Sequence, residues 1–162
     1  MLNSEIQDRN QVLGENNPLF VNHSTSNKAA SSTLIVDFVK ELQTFNVHSG
    51  KLLQKFDALI TKFEQMRQDV LIPSNDLSKV FERLVNIATV AFRNNNQKLL
   101  KFHWNYFEKV GFKEGLLLEN GNLPIKQYIN FMSIVTAMKD VDKLTAFATT
   151  YIEKVSEEDE HI

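Results

Sequence analysis

Apolar residues recur every three or four positions from about residue 33 onward, which is the spacing of one face of an α-helix. Six such segments follow one another, over residues 34–45, 52–70, 77–92, 99–110, 128–138 and 144–155. In the second segment, charged residues such as Asp57 and Lys62 fall on the side opposite the apolar stripe, where substitutions usually have little effect on stability. The pattern predicts an all-helical domain of about six helices over residues 31–155.

Residues that begin or end helices separate these segments. Candidate N-caps precede three of them: Ser31, Ser32 and Thr33 before the first, Ser74, Asn75 and Asp76 before the third, and Asp140 before the sixth. Pro73 is expected to end the second helix, because proline disfavours a helical conformation at the residue before it. The fourth helix should end near Gly111 or Gly115, where a left-handed residue is tolerated. Pro124 suits the first turn of the fifth.

The connections between the predicted helices are short, so successive helices should pack as antiparallel neighbours. No strand pattern is present, which leaves helix-on-helix packing to bury the apolar faces. Two all-α architectures fit: antiparallel hairpins stacked as a short, tetratricopeptide-like right-handed solenoid, or a compact helical bundle. The separation of Leu77 and Ile125 exceeds the roughly 34 residues of a tetratricopeptide unit, so repeat length does not decide between them.

The two ends of the chain lack this periodicity. Residues 1–30 contain six Asn and scattered apolar residues, with one apolar cluster at residues 18–21, and this composition predicts a flexible polar leader. Residues 156–162 are mostly acidic. We expect them to form an acidic tail or the start of a further repeat.

Composition narrows the classes of function. The 162 residues are 43% hydrophobic, and 18 basic against 20 acidic residues give a net charge of -2, which disfavours nucleic acid as a ligand. The absence of cysteine excludes disulfides, thiolate zinc sites, iron–sulfur clusters and a cysteine nucleophile. No apolar run approaches the roughly 20 residues that span a bilayer, and the polar start differs from a secretory signal. We therefore expect a cytoplasmic protein without a membrane partner.

Few residues are arranged for chemistry. His103 and Glu108 are five positions apart, the wrong angle for two ligands on one helical face. Glu157 and His161 have the i, i+4 spacing that a metal could use, but two ligands do not make a site. The glycines form no phosphate-binding loop, and no serine lies in a nucleophile-elbow pattern. We expect no enzymatic activity, no catalytic residue, no cofactor and no metal.

The fourth predicted helix is rich in aromatic residues. A stacking platform for nucleic-acid bases would use Phe102, Trp104, Tyr106, Phe107 and Phe112, with charge from Lys98, Lys101, Lys109 and Lys113. These aromatic residues fall on both flanks of the helix. That placement favours packing between two neighbouring helices over a platform.

Three segments carry a resemblance to known proteins: residues 98–108 (KLLKFHWNYFE), residues 115–123 (GLLLENGNL) and residues 128–131 (YINF). Over roughly residues 70–155 the chain resembles a family of uncharacterised bacteroidete helical-repeat proteins. The resemblance implies a bacterial, tetratricopeptide-like α-solenoid that acts as a scaffold, with no known catalytic residue or cofactor. It also implies that the chain is the amino-terminal part of a longer solenoid.

Two hypotheses of function remain. The first, favoured by elimination, is a non-enzymatic helical-repeat scaffold or protein–protein interaction module that binds a peptide or protein along a groove. Its binding residues are not identified by the sequence. The second is a small-ligand-binding or enzymatic helical bundle, with a site between helices four and five near His103, Tyr106 and Tyr128.

The sixth predicted helix has apolar residues on two flanks. One flank carries Val141, Leu144 and Ala148, and the other carries Phe147, Tyr151, Ile152 and Val155. A single neighbouring helix covers only one flank. The pattern therefore predicts concentration-dependent self-association, as a homodimer through this helix.

Overall fold

The computed structural model describes residues 18–94 and 97–156, and six α-helices account for most of them. The helices are α1 (Pro18–Gln43), α2 (Leu52–Arg67), α3 (Ser74–Arg93), α4 (Gln97–Glu108), α5 (Ile125–Ala137) and α6 (Val141–Tyr151). A π-helical turn (Lys109–Lys113) extends α4, and a 3-10 turn (Ile152–Lys154) follows α6. The all-α class predicted from the apolar spacing is confirmed for the described residues.

The first helix begins earlier than the sequence predicts. Helix α1 starts at Pro18, so residues 18–30 of the predicted leader are helical, and residues 1–17 lie outside the described residues. Ser31 and Thr33 are inside α1 rather than at its cap. Their hydroxyls find other partners: Ser31 Oγ donates to Asp69 Oδ2 (2.6 Å), and Thr33 Oγ1 donates to the carbonyl of Ala29 (3.0 Å). Residues 157–162, most of the predicted acidic tail, also lie outside the described residues.

The other predicted helix ends are partly correct. Asp140 caps α6 as predicted, because its Oδ1 accepts from the backbone N–H of Lys143 (3.1 Å). The predicted cap of α3 at residues 74–76 is wrong, since Pro73 holds the cap position and the helix already starts at Ser74. Asp76 instead lies in the first turn, where a carboxylate interacts favourably with the helix dipole.

One short parallel strand pair joins distant parts of the chain. Strand β1 (Leu123–Pro124) pairs with β2 (Val155–Ser156), with Leu123 opposite Val155. The sequence pattern predicted no strand, and a pair of two-residue strands is too short to show an alternation of apolar and polar positions. The pair brings the chain just before α5 together with the chain just after α6.

Successive helices form antiparallel hairpins. In the first hairpin Phe38 of α1 contacts Phe63 of α2 (ring centroids 6.5 Å apart), while Phe45 contacts Phe56 (6.0 Å), so one helix runs up as the other runs down. Helices α3 and α4 form the second hairpin, and α5 and α6 form the third, closed by β1 and β2.

Alternate helices run parallel to each other. Two contacts join α2 to α4. His103 Nε2 lies 2.7 Å from Asp57 Oδ1, and the Tyr106 hydroxyl donates to Glu64 Oε1 (2.6 Å). The contacts follow one another in the same order along both helices. In the same way, Trp104 of α4 contacts Phe147 of α6, and Phe112 of the following turn contacts Tyr151. Helices α1 and α3 also pack together, and Gln127 of α5 donates to Glu82 of α3. The molecule thus has one series of helices α1, α3 and α5 and another of α2, α4 and α6.

The two flanks of α6 differ in their surroundings. On one flank Phe147 and Tyr151 are buried against aromatic residues of α4, the π-helical turn and α5. Ile152, on the same predicted flank, is 54% exposed. Val141 remains 73% exposed, and Ile129 of the neighbouring α5 is 57% exposed. The homodimer through α6 therefore stays a prediction.

One continuous apolar core connects the three hairpins. Phe107 lies near its centre, fully buried between Phe56 of α2 and Phe81 of α3, with ring centroids 6.2 and 6.1 Å away. None of the helices within residues 18–94 and 97–156 combines the length and apolarity that crossing a bilayer requires.

Candidate binding cleft

A cleft of about 930 Å³ lies between α3 and α5. Its long walls are formed by α3 from Ser74 to Arg93 and by α5 and its preceding residue from Pro124 to Ile134. The loop of residues 114–119, which follows the π-helical turn, lines one end. Because α4 is antiparallel to α3, this is the end at which α3 and α5 begin.

The polar lining of the cleft is both uncharged and charged. The uncharged residues are Ser74, Asn75, Ser78, Asn86 and Thr89 on the α3 side and Gln127, Asn130 and Ser133 on the α5 side. The charged residues are Glu82, Arg93, Glu114, Glu119 and Lys126. Gln127 Nε2 donates to Glu82 Oε1 (2.5 Å), which joins the two walls. Asn86 and Asn130 each lie one helical turn beyond this contact, on the same face of their helix, and both are exposed.

Side-chain amides suit the recognition of peptide backbone. Each amide offers two N–H donors and a carbonyl acceptor, the same two kinds of group that a peptide main chain presents. Asn86 and Asn130 line opposite walls of the cleft. A ligand with alternating donors and acceptors therefore finds partners on both sides.

The end loop contributes an apolar surface. Leu117 is buried, whereas Leu116 and Leu118 are half-buried and line the cleft. Leu117 fits closely over Gly111: a Cβ added there would lie 3.1 Å from Leu117 Cδ1 and 3.2 Å from Phe81 Cε1. Gly115, at φ +80°, supplies the left-handed turn that leads into the leucines.

An ionic and hydrogen-bonded network fixes the start of this loop. Arg67, in the last turn of α2, pairs with Glu114 and also with Glu64 (2.8 Å). Lys109 Nζ lies 3.4 Å from Glu114 Oε1. The hydrogen bond from Arg67 lowers the pKa of Glu114. Tyr106 donates to Glu64 (2.6 Å), and burial, together with that carboxylate, raises the pKa of the Tyr106 hydroxyl.

The residues of the alternative predicted site are not brought together. His103 and Tyr106 both face α2, where His103 Nε2 lies 2.7 Å from Asp57 Oδ1. Tyr128 instead stacks on Phe147 of α6, with ring centroids 5.9 Å apart. None of the three lines the cleft.

The other sequence-based candidates have structural roles where they can be described. Trp104, Phe107 and Phe112 are buried in the core, as the packing interpretation predicts, but Phe102 is 67% exposed and departs from it. Within residues 18–94 and 97–156, no group of three or more His, Asp or Glu side chains could hold a metal ion. The Glu157 and His161 pair lies outside those residues.

The cleft was not predicted from the sequence, although one of its walls leaves a visible pattern of polar residues. Glu82, Asn86, Thr89 and Arg93 recur at spacings of four and three, which marks a polar stripe along α3. A polar stripe normally indicates a solvated face. Only the packing of α5 beside α3 turns this stripe into one wall of a recess.

Comparison of the chain with protein-family models, curated proteins and solved structures found no match. The helical-repeat resemblance carried by residues 98–131 therefore stays a prediction.

Proposed function

We propose that this protein is a non-enzymatic helical-repeat module that binds an extended peptide segment of a protein partner in the cleft between α3 and α5. The observation that carries the proposal is the cleft itself, which has amide side chains on both long walls and the leucines of the loop at one end. Amide side chains pair with the donors and acceptors of a peptide backbone.

The dimensions of the cleft agree with such a ligand. From Glu82 to Arg93 the wall formed by α3 extends roughly 16 Å, at about 1.5 Å per helical residue. An extended peptide advances about 3.3 Å per residue, so about five residues would lie along this wall. A segment of that length presents enough main-chain groups to use several of the cleft amides.

The arrangement of helices supports a short tetratricopeptide-like solenoid as the fold that carries the cleft. Three antiparallel hairpins follow one another, and contacts such as Asp57 with His103 and Glu82 with Gln127 join each hairpin to the next. In solenoids of this kind, stacking leaves the helices of one series facing a common groove. The cleft lies between two neighbouring helices of the α1, α3 and α5 series.

The test starts from a phage-displayed library of random dodecapeptides selected against the purified chain. A selected peptide is labelled with fluorescein, and its affinity is measured by fluorescence anisotropy. Substitution Asn130→Arg places a long cation in the cleft and is expected to weaken binding at least about tenfold. Asn105→Arg makes the same change at an exposed position of α4 outside the cleft lining and is expected to have no effect.

Both variants should keep the wild-type circular dichroism spectrum and melting temperature, because both asparagines are exposed. Equal binding by the Asn130→Arg variant and the wild type would overturn the cleft as the peptide site. Failure to select any peptide would overturn the proposed function.

A further inference from the structure

Both ring nitrogens of the buried His103 face hydrogen-bond acceptors. Nδ1 lies 3.1 Å from the backbone carbonyl of Leu99, and Nε2 lies 2.7 Å from Oδ1 of Asp57. The His103 side chain is only 5% exposed, so these two groups are its polar surroundings. Neither His103 nor Asp57 lines the cleft between α3 and α5, and the function proposed above does not use them.

The two contacts together require two protons. A neutral imidazole carries one N–H, and its other ring nitrogen has a lone pair that only accepts. With the proton on Nδ1, the lone pair of Nε2 would meet the carboxylate of Asp57. With the proton on Nε2, the lone pair of Nδ1 would meet the carbonyl of Leu99. A second proton, on Nε2 or on Oδ1 of Asp57, gives each contact a donor.

Aromatic rings surround the imidazole on its other sides. Phe56 of α2 lies edge-on to it, with ring centroids 4.9 Å apart, and Phe102 and Phe107 of α4 lie at 5.0 and 6.3 Å. These rings offer no hydrogen bond that competes with the two acceptors. Asp57 is therefore the group that compensates the positive charge of a doubly protonated His103.

Other titratable groups of α2 and α4 do not replace this partner. Within residues 18–94 and 97–156, Asp57 is the charged side chain that contacts a ring nitrogen of His103. Glu64, farther along α2, is paired with Arg67 and accepts from Tyr106. The neighbouring titratable side chains of α2, of α4 and of the connection before α2 are exposed to water: His48, Lys51, Lys55, Lys98 and Lys101.

We propose that Asp57 and His103 form a proton-dependent clamp between the first and the second hairpin. With the second proton bound, both contacts are hydrogen bonds, and α2 is held against α4. Loss of that proton turns one contact into a repulsion between lone pairs and weakens the hold. An imidazole in water, as in the unfolded chain, loses this proton near about pH 6.5. The stabilisation by the clamp is therefore complete at lower pH and is lost as the pH rises.

Urea denaturation between about pH 5 and about pH 9 tests the clamp. In the wild type the equilibrium constant of unfolding should rise with pH, by up to about tenfold per pH unit where the proton is lost. Asp57→Asn should remove this rise, because its amide can donate to Nε2 while the Nδ1–H donates to Leu99, so a neutral imidazole satisfies both contacts. Glu41→Gln makes the same change from acid to amide in the exposed pair with Lys62 and should keep the wild-type rise.

NMR spectra of the ring nitrogens give a second measurement, which needs only the wild-type chain. His103 should keep protons on both nitrogens to a higher pH than His48, which is exposed between α1 and α2. Loss of the second proton at the same pH in both histidines would overturn the proposal. The same conclusion would follow if the wild type and Asp57→Asn showed equal dependence of unfolding on pH.

Discussion

Two polar contacts of α2 have similar geometry but should differ in their contribution to stability. Asp57 Oδ1 lies 2.7 Å from Nε2 of His103, and Lys62 Nζ lies 2.6 Å from Glu41 Oε2. The His103 side chain is only 5% exposed, whereas those of Lys62 and Glu41 are 51% and 42% exposed. Asp57 and Lys62 both lie on the polar side of the helix predicted from the sequence. That position predicts that replacing either residue changes the free energy of unfolding by no more than about 0.5 kcal/mol. The structure changes that expectation for Asp57.

Removing Asp57 leaves a buried ring nitrogen without its protein partner. The other ring nitrogen of His103 is already 3.1 Å from the carbonyl of Leu99. A buried polar group that loses its partner costs about 1–3 kcal/mol. Because the Asp57 side chain is about half exposed, water reaches the vacated position, and we expect Asp57→Ala to cost about 1–2 kcal/mol. Lys62→Ala breaks an exposed ion pair and should cost no more than about 0.5 kcal/mol.

Urea denaturation measures both free energies of unfolding, with far-ultraviolet circular dichroism and the fluorescence of Trp104 as independent signals. A His103→Leu background serves as the control, because the cost of Asp57→Ala should fall there to within about 0.5 kcal/mol of zero. Equal costs for Asp57→Ala and Lys62→Ala would refute the reasoning. So would a cost of Asp57→Ala that persists without His103.

Five other substitutions test four further features. Gly111→Ala should destabilise by about 1–3 kcal/mol, because the new Cβ meets Leu117 and Phe81. Gly50→Ala, with no neighbour within 4 Å, should be neutral or stabilise by up to about 1 kcal/mol; equal effects in urea denaturation would count against the packing argument. Phe107→Ala should cost about 3–5 kcal/mol in the same assay, and a cost near zero would place Phe107 outside the core. Arg67 lowers the pKa of Glu114, so the ionised carboxylate stabilises the fold at pH values above about 4.3, the usual pKa of glutamate. This stabilisation is lost as the pH falls below that value. Glu114→Gln should therefore reduce the loss of the free energy of unfolding at acidic pH. An unchanged dependence on pH would contradict the pairing of Glu114 with Arg67. Light scattering should show self-association that increases with concentration and is reduced by Ile129→Lys; a strict monomer would oppose a dimer through this face.

The helices could be predicted from the sequence because burial imposes a period on them. Phe56, Leu59 and Phe63 mark α2 at spacings of three and four, and all three are fully buried. The first turns of α1 have no such period, so the prediction placed the helix start too late. The strand pair joins Leu123 to Val155, which are far apart in the chain, so it leaves no local pattern.

The cleft was less predictable than the helices for a related reason. Its two walls meet through Glu82 and Gln127, which are 45 positions apart. Each residue alone resembles an ordinary exposed side chain. His103 belongs to the alternative predicted ligand site, and in the structure its two ring nitrogens already contact the carbonyl of Leu99 and the carboxylate of Asp57.

The strand pair between Leu123 and Val155 has a consequence for motion. It returns the chain to the start of the third hairpin, so α5 and α6 are held at both ends and are expected to move as one rigid block. Gln127 in the first turns of this block donates to Glu82 on the opposite wall, so the hydrogen bond between them sets the distance of the block from α3. The width of the cleft therefore depends on how the third hairpin is seated on the second.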